Sequence, residues 1–249
     1  MGPIAACHIE HLFRQLLGVS SEDSIYMGPK FVRVKTGEMH PFGNFVLGLD
    51  PADVDNLDEA LAPFIPAPAP SAVIYTGEPV SEQVNERLKS LGFESIGQMP
   101  AMVVDLEALR PTALPAGHTF EEIGLDRMDK WSEALAEGYE LPIGVAKLFT
   151  ISKDFSGTIR AYAVLREGRM EATSLLFLNE GVAGIYCVST LPEARGKGLG
   201  AHVTAEPLRL AAAEGYRVGL LQASEMGHPI YLKLGFKEVS NLPMYLRMP

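Results

Sequence analysis

The chain has 249 residues, a formal charge of −10 and 47% apolar side chains, enough for one large or two small domains with buried cores. The acidic balance argues against a nucleic-acid partner, which calls for a basic footprint, and agrees mildly with a cationic substrate drawn to an acidic rim. Its two cysteines, Cys7 and Cys187, lie too far apart in sequence for a disulfide framework or a metal motif, so no metal is expected.

The first ten residues lack the basic segment and apolar core of a secretory signal, and Ala6 breaks the myristoylation pattern. No run reaches the ~18 uninterrupted apolar residues of a membrane span. No membrane partner is therefore expected, and cytoplasmic residence is the default. Further on, residues 43–47 followed by Asp50 and Pro51 echo residues 184–188 followed by Leu191 and Pro192. Pro63, Pro66, Pro68 and Pro70 stiffen a loop ahead of a strand over 72–75. Leu91, Gly92 and Phe93 then begin a segment that runs to Pro100 and aligns without a gap against Leu234, Gly235 and Phe236 running to Pro243, at an offset of 143. Both segments lead into apolar strands, 101–104 and 244–246. A repeat of this length implies two related domains, since solenoid periods are only about 20–50 residues. The turn-forming residues 110–117 read as the linker between domains 1–110 and 118–249.

The second half alternates elements in a definite order. A strand is predicted over 118–123, then a helix over 125–137 with Met128, Trp131 and Leu135 at spacings of three and four. A short helix over 142–151 precedes hairpin strands 159–166 and 170–178, and Gly181 turns the chain into strand 182–188. Next comes Arg195, Gly196, Lys197, Gly198, Leu199, Gly200. Three glycines in five positions permit left-handed backbone and leave room for a ligand against the main chain. The helix that follows, over 201–214 with an expected kink at Pro207, adds unpaired amides and its positive dipole end. Such a loop is suited to a pyrophosphate. A Walker loop is excluded because Gly198 follows Lys197. A dinucleotide fingerprint fits Gly196, Gly198 and Ala201, but strand 217–222 ends in Gln222, Ala223 and Ser224 with no acid. Only 49 residues follow Gly200, too few for the remaining strands of that fold.

Taken as a whole, the segment resembles the GNAT superfamily of acyl-CoA-dependent N-acetyltransferases. Arg195, Gly198 and Gly200 occupy the three fixed positions of that family's R/Q-x-x-G-x-G/A signature, and a helix, a strand, a short helix over 229–234 carrying Tyr231 and the Gly235–Phe236 turn follow in the family's order. The match runs from about residue 118 to the end. It implies an α+β fold with a central mixed, mostly antiparallel sheet flanked by helices, here duplicated with a diverged N-terminal copy. That copy has no glycine where the second has its loop, and carries Asp50, Asp53, Asp55 and Asp58 instead; carboxylates there would repel a pyrophosphate. By the same offset Leu88 stands in place of Tyr231.

The resemblance further implies acetyl-CoA as cosubstrate, bound by Val188, Ser189 and Thr190 on the strand, by Arg195, Gly196, Lys197, Gly198, Leu199, Gly200 and Ala201 at the loop, and by Ser224. The Val188 amide would polarise the thioester carbonyl, and Tyr231 would protonate the departing thiolate. Burial is the expected state of Cys187, which has no neighbouring His in sequence to make it a nucleophile. The strand lacks the Glu that many relatives use as general base, which leaves a water relay or Glu225. His228 flanks the same loop, and His202 is expected at the solvent or cofactor rim. A small-molecule amine is the expected partner, with a homodimer possible. Two other classes stay open: an acyl-CoA sensor without turnover, and an interaction protein that recruits through its N-terminal half.

Overall fold

The first helix, α1 (Gly2–Leu17), buries Ile9, Leu12, Phe13, Leu16 and Leu17 on one stripe at helical spacing. It belongs to a computed structural model that describes residues 2–17, 24–151, 155 and 157–249, side chains of residues 2–6 apart. The chain packs as two units: Met1–Pro100 with Ser240–Pro249, and Ala101–Val239.

The first unit contains β1 (Ile25–Met27), β2 (Val32–Lys35), β3 (Asn44–Leu47), α2 (Asp55–Leu61), β4 (Ser71–Ile74) and α3 (Glu82–Ser90). The strand β5 (Glu94–Asp105) then carries the chain across the division into the second unit. That unit continues with β6 (His118–Ile123), α4 (Met128–Tyr139), α5 (Ile143–Lys147), β7 (Ile159–Arg166), β8 (Arg169–Asn179) and β9 (Val182–Thr190). It ends with α6 (Leu199–Ala213), β10 (Val218–Gln222) and α7 (His228–Leu234), and the last strand, β11 (Lys237–Arg247), crosses back.

Within the first unit the strand order is β1-β2-β3-β4-β11, with β3 and β4 parallel and every other pair antiparallel. Within the second it is β6-β7-β8-β9-β10-β5, with β9 and β10 parallel and the neighbouring pairs antiparallel. Both units therefore run antiparallel, parallel, antiparallel across their last strands. The closing strand comes in each case from the other half of the chain: Met244–Arg247 pair with β4, and Ala101–Asp105 pair with β10. Sequence pattern cannot announce such an exchange, because either apolar strand satisfies either edge equally well.

The two Gly–Phe turns have one geometry. Gly92 and Gly235 both take positive φ, at 84° and 104°, where a Cβ is disfavoured. The Phe93 N–H donates to Leu88 O at 2.9 Å and the Phe236 N–H donates to Tyr231 O at 3.0 Å, so each helix ends in the same looped cap. Leu88 and Phe93 lie in the core of the first unit, Tyr231 and Phe236 in that of the second.

The helix α6 runs through Pro207 without ending. Proline has no N–H for the carbonyl four residues back, which is Val203 O. Ser174 of β8, fully buried, donates its hydroxyl to that carbonyl at 2.7 Å. A side chain from the sheet thus replaces the lost helix bond and pins α6 over β8.

Candidate functional site

Parallel pairing between β9 and β10 stops at Gly184 and Leu220, although β9 continues for six more residues to Thr190. The strands fork there. On its other side β9 stays bound to β8, but with a shift of register: Thr173 opposes Ser189 while Leu175 opposes Tyr186. Ser174 therefore faces two residues, Cys187 and Val188, which makes a β-bulge. Cys187 sits in it with φ of 52°, a strained value for a residue with a side chain. Thr173 supports the bulge by donating to Cys187 O at 3.0 Å and sharing a 2.7 Å hydroxyl contact with Ser189. The Ser189 side chain is thus committed within the sheet, and a ligand could use only its backbone.

The loop between β9 and α6 opens at the same end. Gly196 and Gly198 take φ of 78° and 84°, and a Cβ on either would meet no protein atom within 4 Å. These glycines are needed for conformation, and the space beside them is open. Gly200 has the complementary reason: a Cβ there would come within 3.3 Å of Thr190 Oγ1, where the first turn of α6 passes the end of β9. Leu199, 1% exposed, anchors the helix start in the core. The helix begins with the His202 N–H donating to Gly198 O at 3.1 Å, which leaves the amides of Leu199, Gly200 and Ala201 without acceptors inside the helix. In the first unit the corresponding loop after β3 is closed by its own side chains. Asp50 accepts from Ala52 N and Asp53 from Asp55 N, both at 2.8 Å. The acids there consume the amides that the glycine loop leaves open.

Arg195, expected at the cofactor loop, is engaged by the protein itself. Its guanidinium donates to Gly138 O at 3.0 Å and to Thr190 O at 3.3 Å, with Glu140 at 3.7 Å. It braces the end of α4 against the end of β9, while Lys197 remains fully on the surface. Gly138, which no sequence pattern singled out, makes that approach possible. A Cβ there would lie 2.7 Å from Ser189 Oγ and 3.2 Å from Thr190 N. Gly138→Ala is accordingly expected to push α4 off the strand, lowering thermal stability by about 1–3 kcal/mol despite the better helix propensity of alanine. A melting curve equal to or above that of the parent chain would contradict this.

Tyr231 is 7% exposed and rests beside Phe236, the ring centroids 6.0 Å apart. Burial raises its phenol to about 12, with the Thr204 hydroxyl beside it acting in the opposite direction. Gly227 leaves space for the ring, since a Cβ would stand 2.7 Å from it. Tyr139, at the end of α4, is 44% exposed, while the desolvated surroundings of its hydroxyl, with Tyr231 and Cys187 nearby, hold its phenol above the usual range. The Cys187 thiol is also pushed up by burial, to about 12, so it rests as an inert thiol. At the end of β10, Gln222 lies beside the Tyr186 phenol, whose pKa burial raises and the Gln222 side chain lowers.

The remaining expected residues divide. Ser224 accepts from Gly227 N at 3.1 Å and its carbonyl accepts from His228 N at 2.9 Å, so it shapes the turn into α7. Glu225 lies exposed on that turn. His228 is paired with Glu238 at 2.5 Å. His202 is corrected outright: 6% exposed, it is bonded through Nδ1 to Thr112 Oγ1 at 3.0 Å and packed edge-on to Phe120. It is a core histidine, and desolvation lowers its pKa.

No protein-family model matches the sequence, and no curated protein matches it. Solved structures do match. A GCN5-related N-acetyltransferase from Kribbella flavida superposes with a TM-score of 0.67 at 19% identity, over 98% of this chain and 96% of its own. One from Sphaerobacter thermophilus gives 0.60 at 14% identity, over 99% and 92%. A tandem GNAT protein from the clavulanic acid biosynthesis pathway gives 0.57 at 14% identity, over 98% and 92%. With its forked parallel strands, bulge and loop-to-helix transition, this chain has the fold of the GCN5-related N-acetyltransferases.

Proposed function

We propose that the protein transfers an acyl group, acetyl in the first instance, from acyl-CoA to a primary amine by direct attack, and that the first unit is a diverged copy of the second. The observation that carries the reading is the glycine loop held open at the start of α6 beside the fork of β9 and β10. Left-handed Gly196 and Gly198 turn main-chain amides outward at a helix N-terminus, the arrangement that binds phosphate with little help from side chains. Lys197 adds charge; Arg195 holds the frame. In the fork, the main chain of β9 past Gly184 offers hydrogen bonds to an extended arm, and the bulge at Cys187 and Val188 sets the Val188 amide apart from the ladder to β8.

The chemistry this supports is balanced and short. The amine nitrogen forms a bond to the thioester carbonyl carbon, the Val188 amide stabilises the developing oxyanion, and the C–S bond breaks. The thiolate takes a proton from Tyr231, and the new amide gives one up to a water or to Glu225. Holding the reactants in place supplies several kcal/mol by itself. The test is free-thiol release from acetyl-CoA across a panel of small amines. Amine-dependent release is the expected result. Tight CoA binding with no release for any amine would make the protein a sensor instead.

A further inference from the structure

The turn that leads into α7 holds Tyr231 through a chain of short contacts. Ser224 Oγ accepts from the Gly227 N–H at 3.1 Å and Ser224 O accepts from the His228 N–H at 2.9 Å, so the serine caps a first helical turn ahead of the helix proper. Gly227 O accepts in its turn from the N–H groups of Ile230 and Tyr231, at 2.9 and 3.1 Å. At the other end, Tyr231 O takes the Phe236 N–H. The main chain of Tyr231 is thus tied on both sides, and one of the two ties runs back through Gly227 to the cap.

Gly227 also lies against the ring. Its φ of −78° and ψ of −33° are ordinary helical values, at which alanine is the better residue. Conformation therefore gives no reason for a glycine here; space does. A Cβ would stand 2.7 Å from Tyr231 Cε2 and 3.1 Å from both Cζ and the phenol oxygen. The conflict falls on the hydroxyl end of the side chain, while the residue itself is fixed in the core by its two main-chain ties.

We propose that Gly227, held in place by the Ser224 cap, is a positioning residue that fixes where the Tyr231 hydroxyl lies. Use of that hydroxyl as the acid rests on the acyl-transfer reading; its placement does not. Donation to a departing sulfur needs the O–H directed at it, and a displacement of about 1 Å in such a group can cost about a hundredfold in rate. A methyl group at position 227 would move the phenol before it moved the helix, because the far end of the ring is the softer part. Ser224 acts one step further back. It is exposed, so water can take over part of the lost bond, and its removal has the smaller effect.

The experiment compares crystal structures of the full chain with and without Gly227→Ala, and measures thiol release from acetyl-CoA with the panel amine that gives the fastest rate. Gly227→Ala should fold as the parent does, displace the Tyr231 hydroxyl and lower kcat by about 10- to 100-fold with acetyl-CoA affinity unchanged. Ser224→Ala should lower kcat less, and Ser224→Thr, which keeps the cap oxygen, should restore it. In the Tyr231→Phe background Gly227→Ala should lower kcat no further, because the displaced group is already gone; a loss of packing alone would lower it equally in both backgrounds. A Tyr231 hydroxyl that stays in place in Gly227→Ala, an unchanged kcat there while Tyr231→Phe is impaired, or an equal fall in both backgrounds would overturn the proposal. Full activity of Tyr231→Phe beside a displaced hydroxyl in Gly227→Ala would support the placement and remove Tyr231 as the acid, so the two failures are distinct.

Discussion

Gly198→Val is expected to abolish acetyl-CoA binding while the chain still folds. At φ of 84° a branched side chain costs about 1–2 kcal/mol of local strain, and the cheapest relief is for the loop to leave the left-handed region. No protein atom lies within 4 Å of the added Cβ, so the surrounding core has no reason to collapse. What is lost is the outward set of the amides at the start of α6. Two charge-assisted hydrogen bonds to phosphate are together worth about 3–6 kcal/mol, beyond a hundredfold in affinity. Calorimetry beside a melting curve reads both quantities. Lys197→Ala should weaken binding only mildly, because it removes charge from a site that main chain forms. Arg195→Ala should act mostly through stability, since its guanidinium holds Gly138 O and Thr190 O. A folded Gly198→Val protein with unchanged CoA affinity would remove the basis of the acyltransfer proposal.

The features legible in the sequence were those written locally. Strands predicted over 118–123 and 159–166 coincide with β6 and β7, because alternation and turn residues bound them on both sides. The glycine loop and the Gly–Phe turns were legible for the same reason, each needing a conformation that few residues tolerate. What escaped was set by partners distant in sequence. The strand predicted over 101–104 starts instead at Glu94, and its continuation closes the second unit rather than the first. Gly138 matters only because Ser189 lies against it, and the bonds of Arg195 to Gly138 O and Thr190 O depend on residues 57 and 5 positions away. His202 follows the loop so closely that a cofactor rim was the natural expectation, yet its helical phase turns it toward Thr112 and Phe120. The left-handed Cys187 has no sequence signal at all, since nothing in its neighbourhood calls for a glycine.

Tyr231→Phe is expected to lower turnover by about 10²–10⁴-fold, the usual worth of a general acid, while acetyl-CoA affinity stays close to that of the parent chain. The ring is buried against Phe236 and under Gly227, and phenylalanine fills the same space, so packing is retained and only the hydroxyl is removed. That hydroxyl matters when the C–S bond breaks and sulfur acquires charge, a condition absent from the ground state; the loss should therefore fall on kcat more than on KM. The raised phenol pKa fixes the pH behaviour. With its ionisation moved from 10.0 to about 12 by burial, Tyr231 keeps its proton throughout the neutral range. An alkaline fall in activity below about pH 10 must then belong to another group and should persist in the variant. The stability sign follows from the same shift. The neutral phenol is favoured in the folded state, so its contribution is complete below pH 10 and is lost as pH rises towards 12; Tyr231→Phe should erase that part of the alkaline loss. Full activity in the variant at every pH would show that the ring only packs beneath the Gly–Phe turn, and would leave a water as the acid.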